Sequence, residues 1–227
     1  MEIPIEWLPE AGAPQQLILL LHGWGGRGDS MLPLAQALRA AFPQAAVLAP
    51  DAPHVHDRNP LGRQWYSIDD MDEATWRGRV AECVPPLADW VRAQQQRLGV
   101  SAAATALGGF SQGAILSLAL AQAEDGIAGR LLAFAGCYTG QPLAAPRQTT
   151  VHLFHGSADR VIPADGSRQA LAWLSELQGD ATVDIAEGIG HELHPVLIDC
   201  ALHRLRNHIP LRTWQEALGA APGRNDH

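Results

Sequence analysis

Apolar positions along this chain fall into two kinds of run. Residues 17–21, 46–49 and 131–134 are short and unbroken, and 151–154 is interrupted only by His152, as in parallel strands buried on both faces. Ile3, Ile5 and Trp7 alternate with polar residues instead, which predicts a half-buried edge strand, and 182–185 alternates likewise. Between these lie stretches of helical period. One spans 31–41, with Asp29 or Ser30 as a cap and Pro33 in the first turn. Another spans 73–98, with Trp76, Val80, Val84, Leu87 and Val91 on one face, and Pro85-Pro86 should kink or divide it. Further helices are predicted over 114–121, 164–177 and 195–208, the last with Leu197, Ala201, Leu202 and Leu205 inward. Residues 50–72, rich in Pro, Asp, His and aromatics, read as a long loop, which in a compact domain is usually functional.

Strand and helix thus alternate from end to end. That order predicts an α/β fold with a mostly parallel central sheet and helices on both faces. Ligands of such sheets bind beyond the carboxyl ends of the strands. The breaks after Leu21, Phe110, Phe154 and Ala186 all fall on that edge.

Length and charge narrow the picture. A chain of 227 residues with 47% hydrophobic content fits one domain, assigned to 1–218, with 219–227 as a flexible Gly-, Pro- and charge-bearing tail. The net charge of -8 and the lack of a basic run argue against nucleic-acid binding. No stretch approaches a membrane span, and the start, Met1-Glu2-Ile3-Pro4, lacks a basic region and an apolar signal core, so the expected location is cytoplasmic. Cys83, Cys137 and Cys200 are widely spaced and odd in number, as for reduced thiols.

The chemistry centres on Gly109-Phe110-Ser111-Gln112-Gly113, a G-x-S-x-G pattern between an apolar lead-in and a helix-forming run. In that context it reads as a nucleophile elbow, a sharp turn that lifts the Ser111 hydroxyl clear of the backbone. A serine needs a base, and the base an orienting acid. Chain order in this kind of site is Ser, then acid, then His. Asp159, in the turn after the 151–154 strand, is favoured as the acid over Asp184, which sits mid-strand, and Glu187. Among 10 histidines, His191 and His194 occupy the late loop edge, and the Gly190-His191 step favours His191. His22-Gly23-Trp24-Gly25-Gly26 can offer a backbone N–H which, with that of Gln112, would make an oxyanion hole, with His22 itself bonding loop backbone. Since those donors are backbone groups, the side chains at Trp24 and Gln112 could change without abolishing the hole.

Taken jointly, His22-Gly23, Gly108 to Gly113, His155-Gly156-x-x-Asp159-x-Val161-Ile162-Pro163 and Gly190-His191 resemble the α/β-hydrolase family of carboxylesterases, lysophospholipases and acyl-protein thioesterases. The stretches 62–67, 104–107 and 111–115 are similar to a bacterial esterase branch of it. The resemblance implies an α/β-hydrolase fold, Ser111 as nucleophile, His191 as base and then acid, Asp159 as its orienter, and oxyanion donors at Trp24 and Gln112. It implies a small-molecule ester substrate, no cofactor and no metal. Lysophospholipase or acyl thioesterase activity is the alternative. Gly26-Arg27 and Ser67 stand where the thioesterase branch usually carries Asp, which weakens transfer of that specificity. Trp24, Trp65 and Tyr66 are candidate substrate-binding residues, although Trp65 would serve equally to pin the 50–72 loop. Arg63 is assigned to a structural pair with Asp69 or Asp70.

Two rival classes are considered. His54-Val55-His56-Asp57 is one residue short of the H-x-H-x-D grouping of binuclear zinc hydrolases, and later ligands are not recognisable. A non-catalytic hydrolase fold usually lacks a triad member, and all three positions are filled here.

Overall fold

The computed structural model describes residues 1–219. Seven strands form one sheet in the order β1-β3-β2-β6-β7-β8-β9. They are β1 (Ile5–Trp7), β2 (Gln16–Leu21), β3 (Ala45–Ala49), β6 (Thr105–Phe110), β7 (Arg130–Phe134), β8 (Thr150–Gly156) and β9 (Ala181–Ala186). Only β1, at the edge, runs antiparallel to its neighbour.

Alternation along each strand sends side chains to two cores. Leu17, Leu19 and Leu21 pack with α2 (Glu73–Leu98) and α3 (Gln112–Ala123). Ile18 and Leu20 face α1 (Leu32–Ala41) and α5 (Pro195–Asn207). Leu131, Ala133, Val151 and Leu153 meet α3 and α4 (Asp165–Glu176) on the α2 side. The doubly wound arrangement expected from the sequence is therefore the observed one. Because α3 has neighbours on several sides, its apolar residues run all round rather than along one stripe.

Several local features differ from expectation. The 50–72 segment contains a small hairpin, β4 (His54–His56) with β5 (Asn59–Gln64), with a bulge at Val55/His56. Helix α2 is continuous through Pro85 and Pro86. Both prolines are exposed, so the carbonyls left without an N–H face water, while Val80, Val84, Leu87 and Val91 hold the buried stripe in register. Neither Asp29 nor Ser30 caps α1. Both lie in a preceding 3-10 turn, and the Ser30 hydroxyl donates to the Arg27 carbonyl. A further helix, α6 (Leu211–Gly219), follows α5. Residues 220–227 of the predicted tail lie outside the described residues.

Three buried imidazoles make the fold acid-sensitive. Burial pushes His22, His152 and His155 below the ordinary histidine value, His152 to about 3. Above pH ~6.5 both the folded and unfolded forms are neutral at these positions. Below it only the unfolded chain takes up the proton, so stability declines as pH is lowered, at up to about 1.4 kcal/mol per unit for each group. Tm should therefore drop from pH 7.5 to 5, and less steeply in His152→Leu.

Candidate active site

Ser111 sits between β6 and α3 with φ 53° and ψ -116°, a region where a side chain is strained. The turn is held by Ser111 N–H donating to the Phe134 carbonyl at 2.9 Å. The two glycines of the motif serve close approach. A Cβ on Gly109 would lie 2.4 Å from the Gly113 backbone, and one on Gly113 would lie 2.2 Å from the Leu21 carbonyl oxygen. Helix α3 thus crosses directly over the end of β2, which brings the 22–26 loop beside Ser111. A Cβ on Gly23 would stand 3.2 Å from that of Ser111.

Asp159 and His191 arrive on loops that follow β8 and β9. These loops are stitched together through small residues: Ser157 N–H donates to the Ala186 carbonyl, Ala158 N–H to that of Ile189, and Gly188 N–H to the Ser157 hydroxyl. Gly156 is the contact point, since a Cβ there would be 2.2 Å from the Ile189 carbonyl oxygen.

The result is a continuous chain of three groups. His191 Nε2 is 2.9 Å from Ser111 Oγ, and His191 Nδ1 is 2.7 Å from Asp159 Oδ2. Asp159 Oδ1 accepts the N–H groups of Val161 and Ile162 at 2.8 and 3.0 Å. Burial pushes the Asp159 carboxyl up, but the bonds from His191, Val161 and Ile162 outweigh it and hold the carboxyl below its ordinary value. An ionised Asp159 fixes the Nδ1–H form of His191, which leaves the Nε2 lone pair facing the serine hydroxyl. The Phe110 ring supports the imidazole, with centroids 4.8 Å apart. His194 is elsewhere engaged, its Nδ1 accepting from Val196 N–H at the start of α5. Asp184 is bound to Arg204.

The N–H groups of Trp24 and Gln112 have no acceptor among the described residues. Gln112 opens α3, where an unpaired helix N–H favours negative charge. Its side chain has a separate duty that the sequence left unseen. Gln112 is buried, its Oε1 accepting Trp65 N–H and its Nε2 donating to the Tyr66 carbonyl, each at 2.8 Å. The hairpin is also tied to the 22–26 loop. Gly25 N–H donates to the Arg63 carbonyl and Arg63 N–H to that of Gly26, while Trp24 Nε1–H donates to Gln64 Oε1. Gln64 in turn donates to Asp57, which also accepts from Ser67. The side chain at 112 is therefore not freely replaceable. Gln112→Ala should cost about 1–3 kcal/mol, since it strands a buried N–H and a buried carbonyl. Its loss of thermal stability, read by calorimetry, should exceed that of Gln112→Glu at pH 4.

Trp65 and Tyr66 are 2% and 5% exposed. Trp65 Nε1–H donates to the His22 carbonyl, and Tyr66 Oη accepts from Trp76. Both border a cavity of about 660 Å³ between the hairpin and α2, a cavity whose lining does not include Ser111. Of the two roles weighed for Trp65, pinning the loop matches these contacts. His22 bonds loop backbone at both nitrogens, to the Gly23 carbonyl and the Ala52 N–H. Asp69 pairs with Arg58 rather than Arg63. His56 packs against Trp24 with the rings tilted by 46°, its Nδ1 accepting from Arg58 N–H.

The fold and the site together define a class, and comparison with known proteins agrees with it. The model of the Phospholipase/Carboxylesterase family matches residues 8–209, and the chain belongs to that family. It is 40% identical over 213 residues to Esterase YpfH of Escherichia coli (strain K12), covering 93% of this chain and 91% of that one. Acyl-protein thioesterase 1 of Eremothecium gossypii is 26% identical, over 88% of this chain and 90% of that one. Among solved structures, esterase PE8 superposes with a TM-score of 0.84 at 30% identity, covering 92% of this chain and all of that one.

Proposed function

We propose that this protein is a serine carboxylesterase working through an acyl-enzyme on Ser111. The observation that carries the reading is the unbroken Ser111–His191–Asp159 chain at 2.9 and 2.7 Å. His191 Nε2 takes the Ser111 proton as Oγ attacks the ester carbonyl. The N–H groups of Trp24 and Gln112 receive the oxyanion. His191 then passes its proton to the departing alcohol, and a water activated by the same nitrogen releases the acid. Asp159 orients the imidazole and balances its charge while it is protonated.

A small-molecule ester is the substrate class, with no cofactor, handled by a single domain over 1–218 in the cytoplasm. Among the described residues no helix is long and apolar enough to cross a membrane. Similarity to Esterase YpfH and to esterase PE8 supports the ester reading. Against the thioesterase alternative, Arg27 is engaged with Asp51 at 2.5 Å, and Ser67 with Asp57. With Trp65 and Tyr66 taken up by the core, short acyl groups are the better fit. A series of p-nitrophenyl esters and matched acyl thioesters tests this. Short esters should show the highest kcat/KM, and turnover confined to long-chain thioesters would overturn it.

A further inference from the structure

His155 ends up wholly buried beside Asp159, and the mechanism above gives it no task. It lies near the end of β8, four residues before the acid. Its Nε2 is 2.8 Å from the Ile162 carbonyl oxygen and 3.2 Å from Asp159 Oδ2, the same oxygen that receives His191. Its Nδ1 is 2.7 Å from the hydroxyl of Ser167 on α4.

These neighbours decide where its proton sits. Nε2 faces two oxygens that can only accept, so Nε2 carries the hydrogen. Nδ1 is then a lone pair, and Ser167, whose hydroxyl also lies 3.3 Å from the Gly136 carbonyl oxygen, donates to the nearer acceptor, Nδ1 at 2.7 Å. Burial pushes the imidazole below its ordinary value against the opposing pull of Ile162 and Asp159, so the ring is neutral at working pH. A neutral ring locked with Nε2–H is a one-way donor aimed at the acid and at the far end of its turn.

Asp159 Oδ1 is already taken by the N–H groups of Val161 and Ile162. What remains free is rotation of the carboxylate and drift of the 159–162 turn, and His155 opposes both. We propose that His155 is a positioning residue for Asp159: its Nε2–H, through the Ile162 carbonyl and Asp159 Oδ2, keeps that oxygen in register with His191 Nδ1. Ser167 secures the donor by fixing the tautomer. The inference rests on the triad reading above. Among titratable groups, the ring faces Asp159 and, beyond it, His191.

The test compares His155→Leu, which keeps bulk and removes the donor, with His155→Gln, whose amide N–H can replace it. His155→Leu should lower kcat about ten- to a hundredfold, the range for outer partners of metal ligands. KM should stay within about twofold, because no substrate contact is lost. His155→Gln should recover most of kcat. The low-field proton resonance of His191 Nδ1–H against Asp159 should weaken or move in the Leu variant and return in the Gln variant. A ring that merely fills space would give the reverse order, with Leu active and Gln impaired. Ser167→Ala is the milder second variant, expected to lower kcat about threefold or more without changing KM.

Wild-type kcat and an unmoved resonance in folded His155→Leu would overturn the proposal. If that variant does not fold, the same result in Ser167→Ala overturns it. Fluorophosphonate labelling separates the two levels. An unlabelled Ser111 in the wild type sinks the triad reading, whereas labelling of His155→Leu and Ser167→Ala at the wild-type rate sinks only the role of His155.

Discussion

Ser111→Ala should reduce kcat on a short p-nitrophenyl ester by about five to six orders of magnitude, the scale seen when a serine hydrolase loses its nucleophile. Only one oxygen is removed, and it lies 2.9 Å from His191 Nε2. The Cβ, the turn and the bond from Ser111 N–H to Phe134 all remain, so folding should be intact and Tm nearly unchanged. Ser111→Gly would be equally inactive but more stable. At φ 53° and ψ -116° a side chain costs about 1 kcal/mol or more, which glycine avoids. Inactivity with Tm unchanged in one variant and raised in the other separates lost chemistry from lost structure. Retention of turnover by Ser111→Ala would remove this serine from the mechanism.

Asp159→Asn should lower kcat by about four orders of magnitude with little change in KM. Three donors of known direction surround this carboxylate. With Val161 and Ile162 N–H on Oδ1, an amide must place its oxygen there and turn its NH₂ toward His191 and His155. The NH₂ then donates to His191 Nδ1, the imidazole proton moves to Nε2, and no lone pair faces Ser111. The same NH₂ also meets the Nε2–H of His155, a donor against a donor. Stability should change with it. The Asp159 carboxyl is held below its ordinary value in the folded state, so its stabilising contribution is present above the unfolded pKa of about 3.9 and lost as pH falls through the lower folded value. The Asn variant should be less stable at pH 7 and should lack that acid-limb loss.

The parts of this molecule legible in its sequence are those set by short-range pattern. Continuous apolar runs marked the buried strands, and the breaks after Leu21, Phe110, Phe154 and Ala186 put the candidate residues on one edge. The elbow was readable because two glycines must let helix, strand and loop approach within atomic contact. What stayed hidden depends on partners distant in sequence. The β4–β5 hairpin has one three-residue strand, a bulge, and Pro60 in the other, so it carries no period-2 signal. Its place comes from backbone bonds to Gly25 and Gly26 and from the Gln112 side chain, 47 residues away from Trp65. The two prolines in α2 suggested a break because pattern cannot say that both would face solvent. His155 is the first residue past the 151–154 run, and nothing local distinguishes a histidine set against the acid from one that fills the core.

The central claim is that chemistry passes through an ester of Ser111, and rapid-quench mass spectrometry with p-nitrophenyl butyrate tests it most directly. The account predicts a burst of p-nitrophenol and a transient butyryl adduct that maps to the peptide carrying Ser111, absent from Ser111→Ala. Steady turnover with no adduct, or with an adduct on another residue that persists in Ser111→Ala, would contradict it.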